Sequence, residues 1–452
     1  MLVVIFIMIL LMAWGCVSEE AIYVDDVNDE SKISIYLLIG EKLDNLVEVD
    51  YLITHMYTFH YKRWIDVSYF TDPRIMYDRI LNEMYQGGGP DIIIINSVSN
   101  KYLNLYKLSE INALADMDKL IANSEIFKME DYNKAAMDAG IVQGKRILLP
   151  MEFGVNYCVA IEETFDHHGI EMPETLTMSS YLDTLEEYYS KVEERPAMLG
   201  FDEERLLAQF YTEGEYLEKS EELKRLLDVI KIERDRSRYG GEYDLEGASW
   251  TSKFIEGHQW FYDNHHLYLG AVEKNKDVHY RMFHLQYNTI DKFLEKTVAW
   301  FPLPCREGEQ YEAYVENGFV INNNSKHKNE AFKFLEIILG MKKQITSNTI
   351  HFPVRNECLT DRSHDFMKGL NLSYTMPGVF LDMLPDESIP DDVKLDFIDY
   401  VEGIENYEYI GHFKYVYNNL MKSNIEDYFK GYITYEKLID EINNKLMIYY
   451  TE

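Results

Sequence analysis

Cysteine and histidine are the residue types from which nucleophilic or metal chemistry would first be expected. The chain has 4 cysteines and 13 histidines, with no CxxC or HExxH motif and no Cys/His pairing at metal-ligand spacing. The two histidine pairs, His167-His168 and His265-His266, lie in polar, turn-like stretches without a nucleophile elbow or a recognisable acid pair. The sequence therefore predicts no metal site, no cofactor and no enzymatic activity.

The N-terminal residues carry a different chemical signal. Residues 2–12 are uniformly apolar, and this run is shorter than the about twenty residues that cross a bilayer, which favours a signal peptide. Gly15 and Cys16 follow and resemble the lipobox of bacterial lipoproteins, whose cysteine is acylated and becomes the new N-terminus. The resemblance implies a signal peptide over 1–16, a palmitate-bearing lipid on Cys16 and a tether over 17–31. It also implies anchoring on the extracellular face of the cell membrane of a Gram-positive bacterium.

Two departures from the lipobox pattern leave alternatives open. No Lys or Arg precedes Lys32, and bulky Trp14 stands where a small residue is usual. The apolar segment could stay as an uncleaved anchor, or the chain could be exported with Cys16 unmodified. All three alternatives place the remaining residues outside the cytoplasm.

Composition limits the partners of the exported part. Its 78 acidic and 44 basic residues give a net charge of −34, which argues against nucleic-acid binding because phosphate contacts need clustered cations. Cys158, Cys305 and Cys358 show no disulfide-framework spacing. Two of the three could pair, but the sequence favours buried free thiols.

Strands and helices alternate from residue 33 onward, which predicts the α/β class. Residues 33–39 and 64–69 have strand patterns, and Ile92–Ile95 is a continuous apolar run. Such strands between helices predict a parallel sheet covered on both faces. Asp72-Pro73 is a helix start, and Gly87 ends the helix. The helix is predicted to bury Ile75, Ile80, Leu81 and Met84.

The later segments continue the alternation. The predicted strands span residues 156–161 and 318–321, Gly144-Lys145 predicts a hairpin turn, and Ser325 is predicted to cap a helix that begins near Asn329. The predicted helices span residues 44–63, 132–139, 164–169, 178–191, 213–238, 330–339 and 435–449.

The order of these motifs resembles the extracellular solute-binding proteins of ABC importers, in the group that includes maltose-binding protein. The resemblance covers nearly the whole exported chain. Each motif alone is a weak indication of the family, but the ordered series of motifs is specific. The matching residues are 33–38, Gly89-Pro90-Asp91, 113–118, Gly144-Lys145, Pro150, 169–176, Leu303-Pro304, Gly308, 318–321, 325–335, 352–355 and 429–431.

This resemblance implies a two-lobed α/β structure, the type II fold of periplasmic binding proteins, with an interlobe hinge and C-terminal helices. Lobe one would comprise 32–150 plus 316–346, and lobe two 155–312 plus 350–452. The chain would cross between the lobes near 151–157, 313–319 and 344–354. Closure of the lobes around a ligand would be read by the transmembrane permease subunits, and the protein would act as a monomer.

The resemblance also implies the ligand-binding residues and, with the aromatic residues, favours a carbohydrate. Flat aromatic faces suit sugar rings, and carboxylates or amides suit sugar hydroxyls. Ligands of such folds gather at the C-terminal ends of strands, where the loops after the first and third strands lie. The candidates are Glu41, Ser97, Glu152, Tyr157, Trp260, Tyr262 and Tyr268.

Two other functions compete with transport as interpretations of the sequence. An enzyme has no support beyond the two histidine pairs. A surface lipoprotein that senses a ligand or binds another molecule without transporting it stays open, because fold does not fix function.

Overall fold

The computed structural model of the chain describes residues 32–38, 65–192, 203–211, 216–239, 268–270, 298–306, 313–340, 351–358 and 403–451. The predicted signal peptide, Cys16, the tether and the predicted helix over 44–63 lie outside these residues. Within the described segments, no helix combines the length and apolarity that crossing a membrane requires.

The described strands are short. They are β1 (Ile33–Leu38), β2 (Ile65–Phe70), β3 (Ile92–Ile95), β4 (Ile141–Val142), β5 (Lys145–Arg146), β6 (Leu149–Pro150), β7 (Glu152–Val155), β8 (Tyr157–Ile161), β9 (Tyr268–Gly270), β10 (Val298–Pro302), β11 (Ala313–Val315), β12 (Gly318–Ile321), β13 (His351–Pro353) and β14 (Tyr407–Tyr409).

Helices account for most of the remaining described residues. They are α1 (Pro73–Tyr85), α2 (Leu105–Glu110), α3 (Met117–Ile121), α4 (Lys134–Asp138), α5 (Glu162–His168), α6 (Met178–Lys191), α7 (Glu203–Ala208), α8 (Glu221–Tyr239), α9 (Lys328–Leu339), α10 (Gly411–Val416), α11 (Lys422–Phe429) and α12 (Tyr435–Thr451). A π-helical turn over Tyr417–Met421 joins α10 to α11.

A five-stranded sheet contains the start of the chain, in the order β2-β1-β3-β12-β6. β1 pairs in parallel with β2 and β3, as the apolar runs predict. The predicted parallel pairing is confirmed for these three strands, but the sheet is mixed, because β12 runs antiparallel to β3 and to β6. β12 comes from a return of the chain more than two hundred residues later, so no helix crossover fixes its direction.

Local sequence signals predict the start of α1 correctly, but they predict its buried face only in part. The Asp72 side chain accepts hydrogen bonds from the first turn, and Pro73 occupies the first helical position, as predicted. Ile80 and Met84 are buried and Leu81 packs against the core, but Ile75 is 62% exposed, contrary to the prediction. Met76 and Tyr77 are buried instead, so the apolar face is rotated by about one residue.

Asp91 joins the first sheet to the start of α9. Its carboxylate accepts hydrogen bonds from the Ser34 amide at 2.7 Å, the Ser34 hydroxyl at 2.8 Å and the Ser325 hydroxyl at 2.5 Å. The N-cap position of α9 belongs to His327, which makes no side-chain capping bond. The predicted capping role of Ser325 is therefore wrong: its hydroxyl accepts from the His327 amide before the helix begins.

The buried apolar side chains of the described residues form two clusters. The first cluster includes β1, β3, β6, β7, β11, β12 and α9. The second cluster includes α6, the apolar side of α8, and the C-terminal elements α10 to α12. The predicted burial of Leu217, Leu223, Leu226, Leu227 and Ile230 is confirmed. The predicted start of this helix at residue 213 is wrong, because residues 216–220 are not helical and α8 begins at Glu221, four residues after Leu217.

Two smaller sheets lie along the segments that connect these clusters. One has the order β13-β7-β11-β14, and we call it the hinge sheet; the other has the order β10-β8-β9. β7 and β8 are separated only by Asn156. The chain therefore passes from the five-stranded sheet through the hinge sheet to the second cluster within a few residues.

Candidate functional site

The two faces of the hinge sheet differ in polarity because neighbouring residues of a strand point to opposite sides. Phe153 lies on the apolar face, with its ring centroid 5.6 Å from that of Phe352 and 5.1 Å from that of Tyr407. Gly154 lies on the other face against the Tyr314 ring, where an added Cβ would come within 2.1 Å of that ring. Glu152 shares this second face, which we call the polar face of the hinge sheet.

Glu152 is buried at the polar face. Its side chain is 1% exposed and accepts a hydrogen bond from the side-chain amide of Asn317, which follows β11. The backbone of Asn317 also accepts from the Met151 amide at 3.1 Å. The two chain crossings are thus joined at Glu152, and the contact orients its carboxylate.

Arg205 brings a positive charge to the same face from α7. Its guanidinium carbon lies 3.3 Å from the centroid of the Tyr314 ring, which is a cation–π contact. The guanidinium also donates to the side-chain oxygen of Asn156, the residue between β7 and β8. Arg205 and Asn156 are both buried. A helix of the second cluster therefore holds its cation against the hinge sheet.

A buried ion pair forms a further link between the clusters. The Lys414 ammonium on α10 contacts the Glu316 carboxylate beside Asn317, with side-chain exposures of 5% and 6%. The Asn100 side chain donates to the Glu316 backbone oxygen at 3.3 Å and accepts from the Tyr409 hydroxyl at 2.9 Å. The loop after β3, the second crossing and α10 therefore meet in one polar network.

Ser97 lies in this loop, at the C-terminal end of β3, as predicted. The loop turns because the Asn96 side chain accepts from the amides of Val98 at 3.0 Å and Ser99 at 2.9 Å. Ser97 itself is partly buried. Its loop belongs to the network that contains Glu316, which lies next to Asn317, the partner of Glu152.

The other predicted ligand residues are placed only in part. Tyr157 begins β8 and Tyr268 begins β9, and these strands pair antiparallel, so both tyrosines belong to one sheet. Their side chains lie outside the described residues, as do Glu41, Trp260 and Tyr262 in full. The structure thus associates Glu152 and Ser97 with the hinge, and ligand contact stays a prediction for all seven.

Four polar residues of this region were not predicted: Arg205, Glu316, Asn317 and Lys414. Each lies far along the chain from its partner, and no local motif marks it. Among the described residues, no group of three or more His, Cys, Asp or Glu side chains is arranged to hold a metal ion. Cys305 is a free thiol but only partly buried, whereas the sequence favoured buried thiols; Cys358 is buried, and the side chain of Cys158 lies outside the described residues.

His412 lies where the second cluster meets α2. Its Nε2 atom is 2.9 Å from the Tyr211 hydroxyl and 3.2 Å from the Tyr450 hydroxyl, and its ring centroid is 5.4 Å from that of Tyr106. Burial, with a smaller contribution from Lys107, lowers the pKa of His412 from 6.5 to about 4. The folded protein therefore holds this imidazole neutral.

This burial predicts a loss of stability in acid. Because the pKa of His412 is lower in the folded state, the unfolded chain binds more protons between pH 6.5 and 4. We expect the free energy of unfolding to fall by about 3 kcal/mol across this window through His412, at about 1.4 kcal/mol per pKa unit. The measurement is urea unfolding from pH 7 to pH 4 for the wild type and His412→Gln. Equal slopes against pH in the two proteins would contradict the prediction.

Comparison with proteins of known structure supports the architecture of the chain. No protein-family model and no curated protein sequence matches the chain. Solved structures do match it over most of its length. A substrate-binding protein of an ABC transporter from Listeria monocytogenes, in complex with cycloalternan, is 15% identical with a TM-score of 0.51; the match covers 92% of this chain and 98% of that one.

Two further matches have similar extents. The sugar-binding protein MalE from Xanthomonas citri is 14% identical with a TM-score of 0.53, over 92% of this chain and 96% of that one. A periplasmic oligogalacturonide-binding protein from Yersinia enterocolitica is 11% identical with a TM-score of 0.55, over 92% of this chain and 97% of that one. At these identities the likeness establishes architecture, and the chain has the two-lobed α/β fold of periplasmic binding proteins of type II.

Proposed function

We propose that this chain is the substrate-binding lipoprotein of an ABC importer and captures a carbohydrate between its two lobes. The observation that carries the proposal is the fold, shared over more than nine-tenths of the chain with proteins described as sugar-binding, as oligogalacturonide-binding or as complexed with cycloalternan. The polar face of the hinge sheet supports it, because a carboxylate and amides there suit ligand hydroxyls.

The lobes of the proposal follow the predicted boundaries, 32–150 plus 316–346 and 155–312 plus 350–452. The two hydrophobic clusters support this division in part, since each contains elements from distant parts of the chain; Phe352, Val354 and Ile404, which the boundaries assign to lobe two, pack in the first cluster. Glu152 is 1% exposed, and in this proposal it becomes accessible to a ligand when the lobes separate. Ligand binding then stabilises the closed arrangement, and permease subunits recognise that arrangement.

The ligand class is tested by thermal unfolding of the full chain. The protein is purified in a detergent without a sugar headgroup, since a glycosidic detergent would itself be a candidate ligand. Maltose, maltotriose and oligogalacturonides are compared with peptides, polyamines and metal chelates. A sugar at 100 times its Kd should add about 2.7 kcal/mol and raise the unfolding temperature. Stabilisation only by a non-carbohydrate would overturn the carbohydrate proposal.

The membrane anchor is a separate part of the proposal. We expect Cys16→Ala to move most of the protein from the membrane fraction to the soluble fraction, because one acylated cysteine would supply the attachment. Fractionation and immunoblotting of expressing bacteria measure this, with Cys305→Ala as the matched cysteine control. Retention of Cys16→Ala in the membrane at the mass of the precursor would show that the apolar segment is the anchor.

A further inference from the structure

A cavity of 1290 Å³ opens beside β14, the outer strand of the hinge sheet, and both hydrophobic clusters contribute to its walls. One wall contains α2 and the β4–β5 hairpin, which belong with the first cluster. The other contains parts of α6, α7 and α10, which belong to the second. Glu408 of β14 lines the cavity and pairs in register with Tyr314 on the polar face of the hinge sheet. This β14 cavity is therefore part of the cleft in which the carbohydrate is proposed to bind.

Aromatic side chains from the two walls meet at the edge of the β14 cavity. The Tyr106 ring of α2 has its centroid 5.4 Å from that of His412 on α10, and 6.4 Å from that of Tyr450 near the end of α12. The neighbouring Lys107 ammonium lies 5.3 Å from the centroid of the Tyr449 ring, which is a cation–π contact. A helix of the first cluster thus contacts two helices of the second through aromatic rings.

Hydrogen bonds among the second-cluster side chains hold these rings in place. The Tyr211 hydroxyl, just beyond α7, contacts the Tyr450 hydroxyl. Both hydroxyls lie within hydrogen-bond distance of Nε2 of His412, at 2.9 and 3.2 Å. Three separate segments of the second cluster therefore present one ordered aromatic surface to α2. We call the whole group the aromatic latch, which consists of Tyr106, Lys107, Tyr211, His412, Tyr449 and Tyr450.

The aromatic latch lies on the cleft side of the hinge sheet, because Tyr106, Tyr211 and His412 line the β14 cavity. Lobes that rotate apart about the hinge sheet open this cavity and separate α2 from α12. Tyrosine and histidine combine a ring face for contact with a polar tip that water can satisfy after separation. An interface of leucine and isoleucine would instead expose only apolar surface on opening. The composition of the latch therefore suits a contact that forms and breaks repeatedly.

We propose that the aromatic latch holds the lobes closed through the side chains of the chain itself and thereby sets the affinity of the cleft. This inference rests on the proposed capture of a carbohydrate between the lobes. A ligand that binds the closed arrangement has an apparent Kd equal to its intrinsic Kd divided by the fraction of closed molecules. The latch raises that fraction. Tyr450 is not among the residues that line the cavity, so loss of its hydroxyl weakens binding through closure.

Pulsed electron–electron double resonance tests the latch by measuring the separation of α2 and α12 in the full chain, in detergent and without sugar. The spin labels are attached at Ile111→Cys, directly after α2, and at Asn444→Cys on α12, which are both exposed positions. The other thiols are removed by Cys158→Ser, Cys305→Ser and Cys358→Ser. The same protein without the two introduced cysteines gives the background from Cys16.

We expect one main distance in the labelled protein with the latch intact. Tyr450→Phe, which removes one oxygen atom, and Tyr106→Leu, which removes the ring on α2, should each enlarge a population at longer distance several-fold. Tyr435→Phe is the matched control for the hydroxyl, because that hydroxyl donates to the Ser220 backbone oxygen at 2.7 Å within the second cluster. Tyr432→Leu, at a tyrosine that is 74% exposed, is the control for the ring. Both controls should leave the distances unchanged.

Three results would overturn the latch. They are a labelled protein that shows only the longer distance with the latch intact, latch variants whose distances equal those of that protein, and an equal lengthening in Tyr435→Phe. If Tyr106→Leu fails to fold, Tyr450→Phe decides alone. Because no sugar is present, this measurement is independent of the thermal-unfolding screen: a failed latch leaves the carbohydrate proposal standing, and a screen without a stabilising sugar leaves the measured distances unaffected.

Discussion

Lys414→Met should lower the free energy of unfolding by about 3–5 kcal/mol, because it leaves the Glu316 carboxylate buried without its cation. The two side chains are 5% and 6% exposed, so water cannot replace the lost partner. Methionine keeps much of the apolar volume of the lysine stem, which limits the change to the charge. Urea unfolding of the full chain measures the effect.

The double variant Glu316→Gln/Lys414→Met distinguishes a lost charge pair from damaged packing. Removing both charges should recover most of the loss, since the cost lies in the unpaired carboxylate. Lys437→Met is the matched control: its pair with Glu441 spans 3.6 Å at exposures of 60% and 38%, so about 0–1 kcal/mol is expected. A double variant no more stable than Lys414→Met would refute the interpretation.

Elements with strong local signals could be predicted from the sequence. The predicted bounds of α6, 178–191, agree with the structure, because Thr177 and Ser180 form a capping box at its start. α1 likewise begins at the predicted Asp72-Pro73. In both helices the deciding interactions join residues within one turn, so the sequence itself contains them.

Long-range contacts could not be predicted in the same way. Gly318 was interpreted only as the start of a strand, but a Cβ there would come within 2.4 Å of the Leu149 backbone oxygen. The glycine permits the close approach of β6 to β12, and this requirement is visible only once the two strands are paired. The antiparallel direction of β12 was missed for the same reason.

In the candidate site too, local sequence patterns identified some residues and missed their long-range partners. Glu152 was found through the resemblance of its segment to a family, and Ser97 through its place after a predicted strand. Their surroundings come from other parts of the chain: Asn317 contacts Glu152 across 165 residues, and Lys414 contacts Glu316 across 98. Arg205 was not predicted, since the residue on whose ring it packs, Tyr314, lies more than a hundred positions further along the chain.

The sugar that stabilises the wild type in thermal unfolding should bind Glu152→Gln more weakly, with a Kd raised between about tenfold and about a hundredfold. A hydrogen bond from a hydroxyl to a charged acceptor contributes about 1.5–3 kcal/mol, and each 1.4 kcal/mol is a factor of ten in Kd. Glutamine can still accept the bond from Asn317, so the hinge contact survives. Its second substituent is an NH₂ donor in place of a carboxylate oxygen, and a ligand hydroxyl that donated there loses its acceptor.

Titration calorimetry of the wild type and Glu152→Gln with that sugar measures the change. Glu336→Gln is the matched control, because Glu336 is also buried, at 9% exposure, and its carboxylate on α9 accepts a hydrogen bond from Ser124, which is not part of the hinge sheet. Wild-type affinity in Glu336→Gln alongside a weakened Glu152→Gln assigns the effect to the hinge carboxylate. Unchanged affinity in Glu152→Gln, with an unfolding temperature like that of the wild type, would remove Glu152 from the ligand site while leaving the fold and the importer proposal standing.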